Sequence, residues 1–277
     1  MRPMTDSKSQ IDYQPLTTGN AAFSFRSVSK SYASRDGAPV LALDEVSFET
    51  PNGGITCIVG PTGSGKSTIL RILSGIEQPD SGTVQIGGRP PRELIGRIGY
   101  LTQRHTLFPW MKVGENIGMP LELQGTAPDR RHERVRGICT MLGLAGAENR
   151  YPYEISGGMQ QRAALGRLLA SESPVWLMDE PFNALDERTR HRMQELLIGL
   201  VREQGLSILF VTHTIDEAVF LADRVIVLTA GPARVAETFD WSVAHPRDRL
   251  SREFGETIEQ VRRRVESVLK EDDNRYR

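Results

Sequence analysis

Short apolar runs set off by glycine and proline alternate along the chain with longer stretches of helical periodicity. Ile55–Val59 (ITCIV), Val175–Glu180 (VWLMDE), Ser207–Thr212 (SILFVT) and Arg224–Thr229 (RVIVLT) are near-continuous and rich in branched side chains. That is the character of parallel strands buried on both faces. Phe23–Tyr32 and Val40–Glu49 read as two further strands, joined by a turn about Asp36–Gly37. Pro51–Gly54 makes a second turn, and Gly82–Ile86 and Ile98–Leu101 are short strands. Helical spacing begins at Thr68–Leu73 (TILRIL). It dominates Val113 to Ala170, with breaks at Gly125–Pro128 and Tyr151–Pro152, and returns near Glu187–Glu203 and Asp216–Ala222. Phe254, Ile258, Val261, Val265 and Val268 fall on one helical face, so residues 257–277 hold an amphipathic helix and a tail. Strands alternating with helices predict an α/β fold with a mainly parallel sheet covered on both sides. Residues 1–22 begin polar and rich in Ser, Thr, Asp and Gln, and are expected to be a flexible tail.

Composition narrows the class. The 277 residues are 39% hydrophobic and 25% charged, with a formal net charge of −1. That balance is globular and carries no electrostatic footprint for nucleic acid. Only Cys57 and Cys139 occur, one in an apolar strand and one in a helical stretch, as expected for a reducing compartment rather than a disulfide framework. The first twenty residues lack the apolar stretch of a secretory signal, and no run approaches the length of a membrane span. A cytoplasmic protein is the expectation.

The chemistry concentrates after Ile55–Val59. Residues Gly60, Pro61, Thr62, Gly63, Ser64, Gly65, Lys66, Ser67 and Thr68 match the phosphate-loop pattern G-x-x-x-x-G-K-[ST] between a strand and a helix. Glycines turn backbone N–H groups inward around phosphate oxygens, and the following helix presents its positive end to them. Lys66 can reach terminal phosphates, and the Ser67 hydroxyl can ligate Mg²⁺. Asp179 and Glu180 end an apolar strand, where they face the same crevice as the loop. Asp179 is an oxygen ligand suited to Mg²⁺, and Glu180 is placed to take a proton from an attacking water.

Ile155–Arg162 reads ISGGMQQR. With the phosphate loop, it gives the chain from Phe23 to about Gly255 a resemblance to the ATP-binding subunits of ABC transporters. The resemblance implies a P-loop NTPase (RecA-like) core, an antiparallel β subdomain and an α-helical subdomain at about 104–170, within an ATPase domain spanning 23–256. It also assigns roles. Tyr32 matches the aromatic residue that stacks on adenine, and Gln103 the glutamine joining the Mg²⁺ site to the helical subdomain. Ser156, Gly157 and Gly158 match the signature that binds the γ-phosphate from the opposite subunit. Asn183–Asp186 matches the loop that crosses between subunits, and His213 the histidine that contacts the γ-phosphate. Three departures are conservative for these roles: Ile155 where Leu is common, Asn183 for Ser or Gly, and Thr214 for Asp. The family's cofactors are ATP and Mg²⁺. Its partners are a second ATPase subunit, two transmembrane permease subunits and, indirectly, a periplasmic solute-binding protein, with this subunit peripheral on the cytoplasmic face of the inner membrane.

Leu107–Leu121 (LFPWMKVGENIGMPL), Thr212–Val235 and His245–Glu256 look like the nitrate/sulfonate/taurine importer group. Importers of thiamine-precursor pyrimidines have similar ATPase subunits, so the solute stays open. Phe108 and Trp110 are either core of the helical subdomain or part of the groove that meets the permease. Two other classes fit less well. Soluble ABC ATPases typically duplicate the nucleotide domain or carry long coiled coils, and P-loop GTPases carry an N-K-x-D motif. Neither feature is present here.

Overall fold

A computed structural model describes residues 21–33, 37–103, 107–240, 245 and 247–275. The expected tail over Met1–Asn20 and the Asp36 half of the first turn lie outside these residues. Ala21 and Ala22, assigned to the tail from sequence, instead begin the first strand, and Ala22 is fully buried.

Among the described residues nine strands form two sheets. The smaller is antiparallel, with β1 (Ala21–Ala33) between β2 (Pro39–Pro51) and β4 (Ser81–Ile86). Its inner face is aromatic, and Phe25 stacks on Phe48 with centroids 4.6 Å apart. The larger runs β5 (Ile98–Leu101), β6 (Val175–Asp179), β7 (Ser207–Val211), β3 (Gly54–Val59), β8 (Arg224–Leu228), β9 (Val235–Asp240). All of its pairings are parallel except β8 with β9.

The alternation of side chains along these strands builds two cores. Cys57, Trp176, Met178, Ile208, Phe210, Val225 and Val227 face one way, onto α2 (Val113–Leu123), α3 (Pro128–Met141), α4 (Gly157–Ala170), α5 (Glu187–Gln204) and α6 (Ile215–Leu221). Ile58, Val175, Leu177, Leu209, Val211, Ile226 and Leu228 face the other way, onto α1 (Lys66–Leu73) and the small sheet. The fold class read from sequence therefore stands. α2, α3 and α4 pack on one another as the helical subdomain. The expected start of that subdomain, residues 104–106, lies outside the described residues. The C-terminal helix α7 (Arg252–Arg275) starts five residues before the expected boundary at 257 and packs on α6. Phe254 and Val261 are buried there as the spacing predicts, while the Val268 side chain lies outside what is described. No helix among the described residues is long and apolar enough to cross a membrane. Both cysteines are buried and unbridged.

Candidate functional site

The strand order β6-β7-β3 brings three chain reversals side by side at the carboxyl edge of the parallel sheet. This is where open α/β sheets bind ligands. The loop Gly60–Gly65 follows β3, the turn at Thr212–Thr214 follows β7, and Glu180 follows β6.

Gly65 caps α1 at φ +74°, and a Cβ there would stand 2.6 Å from Leu43 Cδ2 and 3.0 Å from the Ala42 carbonyl. Both the left-handed backbone and the close approach require glycine. Lys66 Nζ donates to the carbonyls of Gly60 at 2.9 Å and Pro61 at 2.7 Å, and lies 3.2 Å from Ser64 Oγ. Burial holds its ammonium below the usual lysine range, opposed by the nearby Glu180 and Asp179 carboxylates. A lysine so placed is a partly desolvated cation held by the loop's own carbonyls, and suited to a phosphate.

Ser67 Oγ donates to Asp179 Oδ2 at 2.9 Å. Asp179 is 6% exposed, and its burial pushes the carboxyl above its ordinary range, with the Ser67 hydroxyl and Lys66 pulling the other way. The donors that converge here are a hydroxyl and a carboxylate. Gln103, whose amide nitrogen is committed to Glu180, has its carbonyl oxygen as the remaining acceptor. An all-oxygen set fits Mg²⁺. Among the described residues no three His, Cys, Asp or Glu side chains gather as a metal cage.

Glu180 is a non-glycine residue at φ +48°, a conformation that costs energy and clusters at functional sites. Its N–H is fixed to the Val211 carbonyl at 2.9 Å. The reversal aims the carboxylate at three groups: Gln103 Nε2 at 3.0 Å, the Asn183 amide and His213 Nδ1 at 3.4 Å. Glu180, Gln103, His213, Asp179, Lys66 and Ser67, six candidates drawn from four separate stretches of sequence, thus occupy one cluster.

Tyr32 lies at its edge. Its hydroxyl donates to Glu77 and sits 3.3 Å from the Thr68 hydroxyl. Ser156, Gly157 and Gly158 are elsewhere. Ser156 caps α4, accepting from the Met159 N–H at 3.3 Å, and both Ser156 and Gly157 are exposed. A Cβ on Gly158 would meet the Ala184 carbonyl at 3.3 Å, so the signature packs on the Asn183–Asp186 loop rather than on the phosphate loop of its own chain. Gln161 completes that contact. Its amide nitrogen donates to the Pro181 carbonyl, and its oxygen accepts from Ala184 N–H at 3.2 Å. Sequence reasoning gave Gln161 no role; the available signal was a buried amide on an otherwise apolar helix face.

The family description for ABC transporters matches residues 43–183. An uncharacterized ABC transporter ATP-binding protein of Methanocaldococcus jannaschii is 40% identical over 237 residues, covering 86% of this chain and 87% of that protein. A nitrate import ATP-binding protein of Synechocystis is 42% identical, covering 71% and 74%. A taurine import ATP-binding protein of Burkholderia pseudomallei is 42% identical, covering 75% and 80%. Among solved structures, a dimeric post-hydrolysis state of an ATP-binding cassette bound to ADP and phosphate superimposes with a TM-score of 0.73 at 29% identity, over 80% of this chain and all of that one. By its loop, its carboxylate pair and these likenesses, the chain belongs to the ABC transporter family, as one of its ATP-binding and ATP-hydrolysing subunits.

Proposed function

We propose that this ATPase energises import of a small anionic or zwitterionic solute of the nitrate, sulfonate or taurine class. It would act as a pair of identical subunits, peripheral on the cytoplasmic face of the inner membrane, beneath two permease subunits fed by a periplasmic solute-binding protein. The likeness to nitrate and taurine import subunits supports the solute class. The convergence of Gln103, Asn183 and His213 on the Glu180 carboxylate, beside the Ser67–Asp179 pair, carries the catalytic reading.

In this reading Lys66 and the amides of Gly60–Thr68 hold the β- and γ-phosphates, and the Tyr32 ring stacks on adenine. Ser67 and Asp179 would hold Mg²⁺ with Gln103 nearby; when bound, the ion neutralises charge on the phosphate oxygens. Glu180 accepts a proton from the attacking water, and His213 holds Glu180 and the γ-phosphate in register. Ser156–Gly158 of the second subunit closes over the γ-phosphate. Gln103 passes the state of the site to the helical subdomain.

Lys66→Ala tests this on two levels. Calorimetric titration of the purified variant should show Mg-ATP affinity lost. Cells carrying it should lose uptake of one labelled solute among nitrate, taurine and an alkanesulfonate. Wild-type nucleotide affinity overturns the phosphate-loop assignment. Lost affinity with all three uptakes retained overturns the solute class alone.

A further inference from the structure

A chain of polar side chains, most of them buried, links the C-terminal segment to the turn that carries His213. Thr212 and Thr214 flank that histidine. Thr212 Oγ1 accepts from the Thr214 N–H at 3.1 Å and donates to Glu217 Oε2 at 2.6 Å. Glu217, on α6, is 6% exposed, and its other oxygen accepts from Gln194 Nε2 at 2.8 Å. Gln194, on α5, is 1% exposed, and its carbonyl oxygen accepts from the Arg249 guanidinium.

Arg249 belongs to the stretch that leads into α7. Its guanidinium lies over the Phe220 ring, 3.3 Å from the centroid, and Phe220 in turn meets Phe254 of α7 edge-on at 6.1 Å. Two residues earlier, Arg247 is buried at the C-terminal end of α6. It donates to the carbonyls of Val219, Phe220 (3.2 Å) and Ala222 (2.8 Å). The stretch therefore grips α6 at its end and, through Gln194 and Glu217, at its start.

Nothing in the hydrolytic machinery uses Glu217, Gln194 or Arg249. Burying a carboxylate and a primary amide is costly unless each finds partners, and apolar side chains of similar volume would fill the same space without that cost. Glu217 and Gln194 have both of their polar atoms partnered, and such pairing adds a single allowed arrangement. Here the arrangement is that of Thr212 and Thr214, and so of the backbone from which His213 reaches Glu180 at 3.4 Å.

We propose that Glu217, Gln194 and Arg249 are positioning residues for His213, so that docking of the C-terminal segment through Arg249 sets the rate of ATP turnover without setting nucleotide affinity. The proposal rests on the role given to His213 above.

Gln194→Met removes both amide links at nearly constant volume. Arg249→Met cuts the chain at its half-exposed end, and Arg249→Lys keeps a cation there. In the full-length chain, both Met variants should bind ATP with wild-type Kd by calorimetry and lose about 10- to 100-fold in kcat with KM unchanged. Arg249→Lys should recover part of the loss. In a His213→Ala background, Gln194→Met should cost nothing further, an outcome that loosened packing would not give. Wild-type kcat in Arg249→Met, or an undiminished further loss in the His213→Ala background, overturns the proposal. Should Gln194→Met fail to fold, the Arg249 pair decides, combined with His213→Ala in the same way. Full turnover in His213→Ala alone would remove the histidine's role and this inference with it; impaired His213→Ala beside normal Arg249→Met removes only the relay.

Discussion

Asp179, a carboxylate of the candidate site, is held where burial works against its charge. Folding carries its carboxyl into a site where burial disfavours the charged form, and its pKa rises above the ordinary carboxylate value of about 3.9. Between the unfolded and folded pKa values the native chain binds more protons than the unfolded chain. Stability therefore falls as pH rises through that window. Wherever it is ionised, Asp179 carries the cost of burying its charge, although it still accepts the Ser67 hydroxyl. Asp179→Asn keeps the shape and an acceptor. The nucleotide-free variant should melt above wild type at pH 7, and the difference should shrink to nothing as pH falls below the unfolded value. Mg²⁺-dependent hydrolysis should fall in the same protein. A variant that melts lower at pH 7 would show that the carboxylate contributes more through its partners than burial takes away. At this scale most of the site was readable in advance, because a phosphate loop and a strand ending in two acids are local patterns. The left-handed backbone of Glu180 was not, since nothing about a glutamate announces φ +48°.

Secondary elements were legible to the extent that burial marks them. β3, β6, β7 and β8 are covered on both faces and appear as unbroken apolar runs. β9 escaped notice because it is an edge strand of alternating exposure, with Glu237 and Asp240 in a stretch of only six residues. The LFPW stretch ahead of α2 posed the reverse problem. Apolar residues at Phe108 and Trp110 fit a core or a contact surface equally well, and periodicity does not separate them. The structure does. Trp110 is 71% exposed and leans on Phe108 with centroids 5.3 Å apart, while Phe108 lies under the Arg167 guanidinium. Asn116 fixes this stretch from α2, accepting from Phe108 N–H at 2.8 Å and donating to the Met111 carbonyl at 2.9 Å. An exposed tryptophan on a stretch held this firmly is not core, and its exposure supports the proposal of a contact surface. Trp110→Ala should change the stability of the isolated subunit by no more than about 0.5 kcal/mol and leave its ATP affinity intact. Transport by the complex assembled with its permease should fall severalfold. A variant that unfolds, or that loses ATP, would return Trp110 to the core.

The described residues gather one part of the candidate ATP site and hold the signature apart from it. Lys66, Ser67, Asp179 and Glu180 gather at the carboxyl edge of the large sheet, whereas the signature caps a helix elsewhere and leaves Ser156 and Gly157 exposed. One phosphate loop and one signature per chain, facing different surroundings, are complementary halves. In the proposed two-fold pairing of identical chains, two sites would be completed at once, each partner offering what the other lacks. What local sequence patterns left unseen at this scale are contacts between distant segments, such as Gln161 with Ala184 or Arg249 with Gln194. Such pairs depend on how layers stack rather than on any local period. Glu180→Gln tests the closed pair most directly. The amide is nearly isosteric, so Mg-ATP should still bind, while loss of the proton acceptor should slow hydrolysis by roughly 10²–10⁴. Removing a negative charge that would face the γ-phosphate also favours closure. The variant should therefore form an ATP-dependent dimer by light scattering, and adding Ser156→Arg, which places a bulky side chain at the exposed helix cap, should abolish it. A Glu180→Gln protein that stays monomeric at saturating ATP would count against pairing of identical chains in the absence of the permease. One that turns over ATP at the wild-type rate would take Glu180 out of the chemistry and leave His213 and Gln103 gathered around a carboxylate with some other task.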